Sequence, residues 1–310
     1  MHDILPPELE KHFGHLQYVR KRGINHWTSE CPKCGSLGHK GNDYPDRFCM
    51  WVNPTRVWCR VCSYSELVSD HEITEQERQE FIRQRQEQQE RELRAAKHAI
   101  AMLQRERRWL WYQKQVGVIA EWWESKGITE ELIDKFHLGY CPSKRIWVQD
   151  KVHKLETATI PVFDQHWRVV NIRHRILHPI DEGDKYRPER GGLPTALYRT
   201  ERGELKNSVL LVEGEIKSIV LWDRLKPELT SIVGTPGKAN KKVLSEIQNR
   251  DRVIVLFDPD AQEKAEEAAM LLRTSNSKVD VVEMDVKPDD WFVVHNRTRR
   301  DFIKVLNVQS

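Results

Sequence analysis

The chain has 310 residues, room for two or three compact units, and its 50 Lys and Arg nearly balance 47 Asp and Glu for a net charge of +3. That balance excludes a uniformly polycationic binder, so any nucleic-acid surface has to come from charge spread unevenly along the chain. The opening MHDILPPELEKHF has no basic-then-apolar leader and no later stretch is apolar for long enough to span a bilayer, so the expectation is a soluble, cytoplasmic protein with no membrane partner.

Residues 1–70 are rich in Cys, His, Trp and Gly and carry little helical periodicity. Four of the six cysteines form two CxxC pairs, Cys31 with Cys34 and Cys59 with Cys62, with 24 residues between the pairs. In a cytosolic chain this spacing points to metal rather than to disulfides. Two such knuckles supply the four thiolates of a closed tetrahedral Zn²⁺ site, structural because no coordination position stays open. The intervening FCMWVNPTRVWC reads as a β-hairpin turning at Asn53, Pro54 and Thr55, the layout of a zinc ribbon. The gap is longer than is usual, which leaves His39 and Cys49 as alternative ligands. Cys49 otherwise reads as a strand residue, and Cys141 as core.

From Thr74 the composition turns to Glu, Gln, Arg and Ala with no Gly or Pro through Gln115. Good helix formers with opposite charges three and four apart, such as Glu87 and Arg91, predict one long helix, a charged linker over 71–115. It is expected to be solvated at first and docked later through Leu93, Ala96, Ile100 and Leu103. Residues 116–206 read as a mixed α+β, basic segment. GITEELIDKFHLGYCP predicts a helix capped by Thr129, with Leu132, Ile133 and Phe136 inward and its end at Gly139. ATIPVFDQHWRVVNIRHRIL predicts two strands around a turn.

From Ser208 the runs VLLV, SIVG, VIVLF and VDVVEM are short, continuously apolar and separated by amphipathic helical stretches. Such runs suit parallel strands buried on both faces, so residues 207–295 are expected to form an α/β unit. Residues 296–310 are too polar to assign and are left as a tail. Glu213 directly follows VLLV, Asp258 and Asp260 follow VIVLF, and Asp289 and Asp290 lie beyond VDVVEM. Acids just past the carboxyl ends of neighbouring parallel strands converge on the edge where ligands bind. Taken singly, Asp260 would be read as a helix cap. Together the carboxylates need a cation, and hard oxygen donors favour Mg²⁺, or Mn²⁺, the ions that nucleotidyl transfer requires. Gly234-Thr235-Pro236-Gly237-Lys238 is not a P-loop, because the pattern needs Gly at 232 and Ser or Thr at 239, where Ile and Ala stand.

The order of zinc ribbon, basic mixed segment, then EGEIKSI, LFDPDA and KPDD resembles the bacterial and phage TOPRIM-type (DnaG-like) DNA primases, over most of the chain from about Cys31 to Asp290, apart from the charged helical linker. KGITEELIDKFHLGY is similar to the helix opening that family's polymerase core, IPVFDQHWRVVNIRHRIL to its basic strand pair, and DKY to a Lys-Tyr motif. The resemblance implies a multidomain α/β fold: N-terminal zinc ribbon, helical linker, mixed subdomain of the primase core over 116–206, and a Rossmann-like TOPRIM domain with a parallel sheet over 207–295. It implies that Glu213 is the catalytic glutamate, Asp258 and Asp260 the DxD metal ligands, and Asp289 the later acid. Arg173, Arg175, Lys185 and Arg187 would line the template and nucleotide path. Trp147, Trp167 and Tyr186 are available to stack bases. The implied partners are single-stranded DNA, ribonucleoside triphosphates and a separate replicative helicase, in a bacterial or phage-infected cell.

Two positions depart from the family. Lys217 stands four residues after Glu213, where the family often has Asp, and it would contact phosphate instead. A Lys that the family tends to carry before its Leu-Tyr is missing from PTALYR, which passes that role to Arg199 or Lys206. The competing expectations are a metal-dependent nuclease on the same fold and a catalytically silent module that binds single-stranded DNA; a topoisomerase is disfavoured because nothing houses a nucleophilic tyrosine.

Overall fold

A computed structural model describes residues 3–33, 48–52, 55–60, 62, 64–67, 75–148, 151–180, 185–191, 193–237 and 241–308. The chain divides into two compact units, Met1–Glu87 and Gln88–Ser310. Among the described residues no helix is long and apolar enough to cross a membrane.

The first unit begins with a helix, α1 (Pro7–Phe13), where no helical pattern is expected from the composition. Seven residues are too few for periodicity to show, but Pro7 at the first helical position and buried Leu9 and Phe13, four apart, are sufficient cause. Five short strands follow among the described residues: β1 (Arg20–Gly23), β2 (His26–Ser29), β3 (Phe48–Trp51), β4 (Arg56–Cys59) and β5 (Ser65–Leu67). They form an antiparallel sheet in chain order. The expected hairpin is β3 with β4, paired Phe48 to Cys59 and Trp51 to Arg56. Its turn residues Asn53 and Pro54 lie outside the described residues. Leu9, Phe13, Trp27, Phe48, Met50 and Val57 form the core of this unit.

The charged stretch folds as α2 (Glu75–Glu106) and α3 (Arg108–Gln113), not as one helix. Arg107 adopts a left-handed conformation, φ +48°, and breaks the register. The unit boundary falls within α2. Ala99 and Leu103 are buried, whereas Leu93 is 56% exposed, so docking begins later than the apolar spacing suggests. After α4 (Ala120–Glu124), α5 (Glu130–Phe136) starts as expected, Thr129 accepting from the Leu132 amide at 3.4 Å. It ends at His137, left-handed at φ +50°, not at Gly139. Gly139 serves packing instead: a Cβ there would lie 2.5 Å from the carbonyl carbon of Tyr112. Strands β6 (Gly139–Val148), β7 (Lys151–Phe163), β8 (Val169–Ile176) and β9 (Tyr186–Pro188) make an antiparallel sheet in chain order. The β7–β8 turn is held by Asp164, which accepts from the amides of His166 and Arg168 at 2.9 Å.

The remaining elements are β10 (Tyr198–Arg199), β11 (Ser208–Glu213), α6 (Glu215–Leu225), β12 (Thr230–Thr235), α7 (Lys241–Leu244), β13 (Arg252–Leu256), α8 (Gln262–Arg273), β14 (Val279–Val281), α9 (Asp290–Val293) and α10 (Arg299–Val308). Their sheet runs β10-β12-β11-β13-β14, with β10 antiparallel and the rest parallel. Along β11, Val209 and Leu211 pack into a core with α8, while Leu210 and Val212 pack into another with α6 and α10. Burial on both faces is why the strand reads as an unbroken apolar run. The stretch after Asn296 is not a structureless tail. Thr298 accepts from the Asp301 amide at 3.2 Å, and α10 buries Phe302 and Leu306.

Candidate active site

The chain leaves β11 towards β12 on one side and later returns to β13 on the other. The crevice at the carboxyl ends of β11 and β13 is therefore a topological switch point, where open α/β sheets bind ligands. Glu213 ends β11 and Asp258 follows β13 there. The turn between β11 and α6 is tight. Gly214 takes φ +94° and its amide donates to Thr235 O at 3.1 Å. The strand below allows no side chain at Gly234, whose Cβ would come within 2.4 Å of Gly214 O. The glycines that mimic a P-loop in sequence thus close the sheet edge beneath the acidic turn.

At that edge lies a cavity of about 750 Å³ lined by Glu213, Lys217, Asp258, Asp260, Asp289 and Asp290, and also by Arg173, Arg175 and Lys185. Every expected acid, three of the four expected basic residues and Lys217 are brought to one cleft. Arg187 is not; it sits on β9 opposite His174, and its guanidinium donates to Tyr186 O at 3.2 Å. Arg199 and Lys206 are also elsewhere. Arg199 pairs with Glu246 at 3.2 Å, and Lys206 with Glu201 at 3.2 Å. Asp184, the first residue of DKY, lies outside the described residues. A second cavity, of about 450 Å³ at the amino-terminal end of the sheet beside α10, is mostly apolar and lacks such converging charge.

Within the cleft, the Lys217 Nζ stands 3.1 Å from Asp258 Oδ2. Burial works against the ammonium, but Asp289, Asp258 and Glu213 outweigh it and hold its pKa above the ordinary value. Burial pushes the Asp289 carboxyl up; Lys217 opposes this, and Asp290 and Asp258 add to it. Lys264, from α8, reaches Glu213 Oε1 at 3.4 Å. Asp260 is exposed in the turn before α8 and caps no helix. Asp258 is only 7% exposed, and its Oδ1 is buried without a hydrogen-bond partner, as is Asp289 Oδ1. Orphaned carboxylate oxygens facing a polar cleft fit a hard divalent cation such as Mg²⁺ or Mn²⁺. Among the described residues, however, no three of these carboxylates bring oxygens within 4.8 Å of one another.

The basic wall has an organisation that the sequence does not announce. Glu215, two residues past Glu213, is 2% exposed and pairs with Arg173 Nε at 3.4 Å. Arg175 donates to the Tyr186 hydroxyl at 3.1 Å, and both guanidiniums lie over the Tyr186 ring, at 5.4 Å for Arg173 and 5.0 Å for Arg175. Tyr186 is thereby committed to the wall. Trp167 is committed too, stacked on Phe163 at 4.4 Å with its backbone at φ +63°. Of the three expected stacking aromatics, Trp147 remains open, 71% exposed on β6. Beneath the wall, Glu189 is buried and accepts from Arg108 Nη1 and the Tyr112 hydroxyl, each at 3.2 Å, and from His174 Nε2 at 2.5 Å, with Lys144 Nζ at 3.5 Å.

In the first unit, Cys31, Cys59 and Cys62 hold their sulfurs within 4.8 Å of one another, the Cys31 and Cys62 sulfurs 3.7 Å apart. Three soft donors at that spacing can bind zinc. Cys34 and His39 lie outside the described residues. Cys49 is buried on β3 opposite Trp58 and does not join the cluster, and Cys141 is in the core of the second unit.

No family model matches the chain, and no curated protein sequence does. Solved structures match. The Aquifex aeolicus primase zinc-binding and RNA polymerase domains align with 98% of this chain and 83% of theirs, at 16% identity and a TM-score of 0.55. A DnaG primase catalytic domain bound to single-stranded DNA aligns with 69% of this chain and 79% of its own, at 16% identity and 0.52. A DnaG catalytic core gives the same coverage and identity at 0.50. At such identity the likeness is one of architecture, and over most of its length the chain shares the fold of the zinc-binding and RNA polymerase domains of DnaG-type primases.

Proposed function

We propose that the chain is a DNA primase, which joins ribonucleotides on a single-stranded DNA template. The observation that carries this reading is the cleft itself: Glu213, Asp258, Asp260 and Asp289 at a switch-point edge line one cavity together with Arg173, Arg175 and Lys185. Nucleotidyl transfer needs acids on one side and phosphate-binding cations on the other. Glu213, Asp258 and Asp260, with Asp289 nearby, would hold Mg²⁺ or Mn²⁺, which would supply charge neutralisation at the transferring phosphoryl group. Arg173 and Arg175, stiffened by Glu215 and Tyr186, present planar donors to phosphate, and Lys185 and Lys264 add point charges. The 3′-hydroxyl of one nucleotide attacks the α-phosphorus of the next, a P–O bond forms, and the bond to pyrophosphate breaks. No protein nucleophile takes part. Trp147 offers a face to an unpaired template base.

In the first unit, Cys31, Cys34, Cys59 and Cys62 bind zinc, and residues 1–70 act as a DNA-binding ribbon. Residues 71–115 serve as a linker, 116–206 as the basic part of the polymerase core and 207–295 as its TOPRIM part. A separate replicative helicase is its expected partner.

The test is incorporation of labelled ribonucleotides on mixed-sequence single-stranded DNA with Mg²⁺, beside Glu213→Gln. Short RNA made by the wild type and absent from the variant is the expected result. Degraded template would support a nuclease. Lys217, an ammonium within the acids, favours one second reading, a silent module; bound DNA with no RNA product would decide for it.

A further inference from the structure

Among the described residues the acids of the cleft do not bring three oxygens together on one point, and an ammonium stands among them. Lys217 leaves the first turn of α6 and enters the acidic cluster with its side chain 17% exposed. Its ammonium engages Asp258 Oδ2 at 3.1 Å and feels Asp289 and Glu213 as well. A lysine amine, of ordinary pKa about 10.4, is charged at neutral pH when carboxylates stand beside it, as Asp258 does here. It is also compact, the shape of a point charge rather than a fork. Lys264 differs: at 63% exposure it touches Glu213 from the rim and can swing away.

Asp258 shows what remains. One of its oxygens is taken by Lys217, while Oδ1 is buried with no partner. A buried carboxylate oxygen is costly without a donor or a cation, so this atom marks a place where a cation belongs. Two-metal sites put ions about 3.5–4 Å apart, each bridged by shared carboxylates. Here one side of the bridging carboxylate already carries a cation supplied by the chain.

We propose that Lys217 is a built-in cation occupying one of two cation positions in the cleft, so that the site takes a single divalent ion, at the unpartnered Oδ1 of Asp258 with Glu213 and Asp260 drawn in around it. The proposal rests on reading the cleft as a divalent-cation site for nucleotidyl transfer. It turns the departure at position 217 from a lost ligand into a substituted charge.

The experiment titrates Mn²⁺ into the full-length, zinc-loaded protein without nucleotide or DNA, reading free Mn²⁺ by electron paramagnetic resonance. Wild type is expected to bind one Mn²⁺, lost in Glu213→Gln. Lys217→Asp, which exchanges the ammonium for a ligand, is expected to bind two. Lys217→Met, which removes charge without adding a ligand and suits a partly buried site, is expected to keep one, bound at least tenfold more tightly. Two Mn²⁺ in the wild type, none in it, or equal stoichiometry in wild type and a folded Lys217→Asp with no tightening in Lys217→Met, would overturn the proposal. The polymerase reading fails separately: one Mn²⁺ bound with no RNA made would leave Lys217 as the built-in cation and remove the activity, whereas RNA made with two bound would do the reverse.

Discussion

Replacing Glu189 by Gln tests the buried network under the basic wall. His174 is buried, and burial pushes its pKa down against the pull of Glu189. An ionised Glu189 only accepts, which places a His174 proton on Nε2, while Nδ1 lies 2.8 Å from the Thr157 hydroxyl. Burial opposes ionisation of Glu189, but the hydrogen bond and charge of His174 and the charges of Lys144 and Arg108 outweigh it and hold its pKa at about 2, against an ordinary 4.5. A difference of that size carries roughly 3 kcal/mol of folding free energy, at about 1.4 kcal/mol per pH unit. Because the folded value is the lower one, that stability is complete above pH 4.5 and is lost as pH falls through about 2. Gln does not titrate, and it leaves Lys144, 14% exposed, without its counter-charge. At pH 7 the most protected amides of β6–β8 should therefore exchange roughly 100-fold faster in Glu189→Gln, the equivalent of about 3 kcal/mol. Near pH 3 the gap should shrink to about half. Hydrogen exchange read by mass spectrometry confines the measurement to these strands. Equal exchange at pH 7, or an undiminished gap at pH 3, would refute the reasoning. Adding Lys144→Met should restore part of the loss, since an apolar pair is less costly than an orphaned charge.

Three further outcomes follow from the same geometry. Cys31→Ser, Cys59→Ser and Cys62→Ser should each release zinc, measured by atomic emission, and Cys34→Ser should do the same if the fourth thiolate completes the site. Cys49→Ser should retain the metal. Gly234→Ala should cost about 1–3 kcal/mol in urea unfolding, because its Cβ meets backbone at Gly214 O and neither strand can yield freely; an unchanged midpoint would show that the edge relaxes. Trp147→Ala should leave stability within about 0.5 kcal/mol and weaken binding to single-stranded DNA by about 1–3 kcal/mol, roughly tenfold or more, as read by fluorescence anisotropy. Unchanged affinity would place the template elsewhere.

How much of this was readable beforehand depends on whether a residue's role is local. The parallel strands β11, β12 and β13 were legible because burial on both faces leaves little polar alternation, and Glu213 and Asp258 were legible because they directly follow such runs. Lys217 was visible as an odd residue, but its partner was not: the approach to Asp258 depends on the φ +94° turn at Gly214 and the direction that turn gives α6. Glu189 sits in RPERGG, which reads as a polar loop, and its partners come from α3, β6 and β8, far away in sequence. For α10 a local signal existed, Thr298 with Asp301 three residues on and Phe302 and Leu306 four apart, but the arginines around it masked the stripe. Trp167 was misjudged for a related reason. A single aromatic in a polar turn looks free until Phe163 is seen beneath it.

The acidic edge and the basic wall come from different sheets, and Glu215 explains how the cleft keeps its width. It lies in the first turn of α6, two residues past Glu213, yet its carboxylate points to β8 and meets Arg173. Burial pushes its pKa up, against the pull of Arg173, Arg175 and Lys217. A carboxylate that costly to bury would have no place in α6 as packing alone, where an alanine would serve better. Its return is positional: the same guanidinium that answers Glu215 lies over Tyr186, which Arg175 also holds. One turn of helix thus presents Glu213 to the acidic edge, Lys217 between the acids and Glu215 to the basic wall, so a shift of α6 would move all three together. The spacing between the side of the cleft that suits a cation and the side that suits phosphate is therefore set by the seat of a single helix.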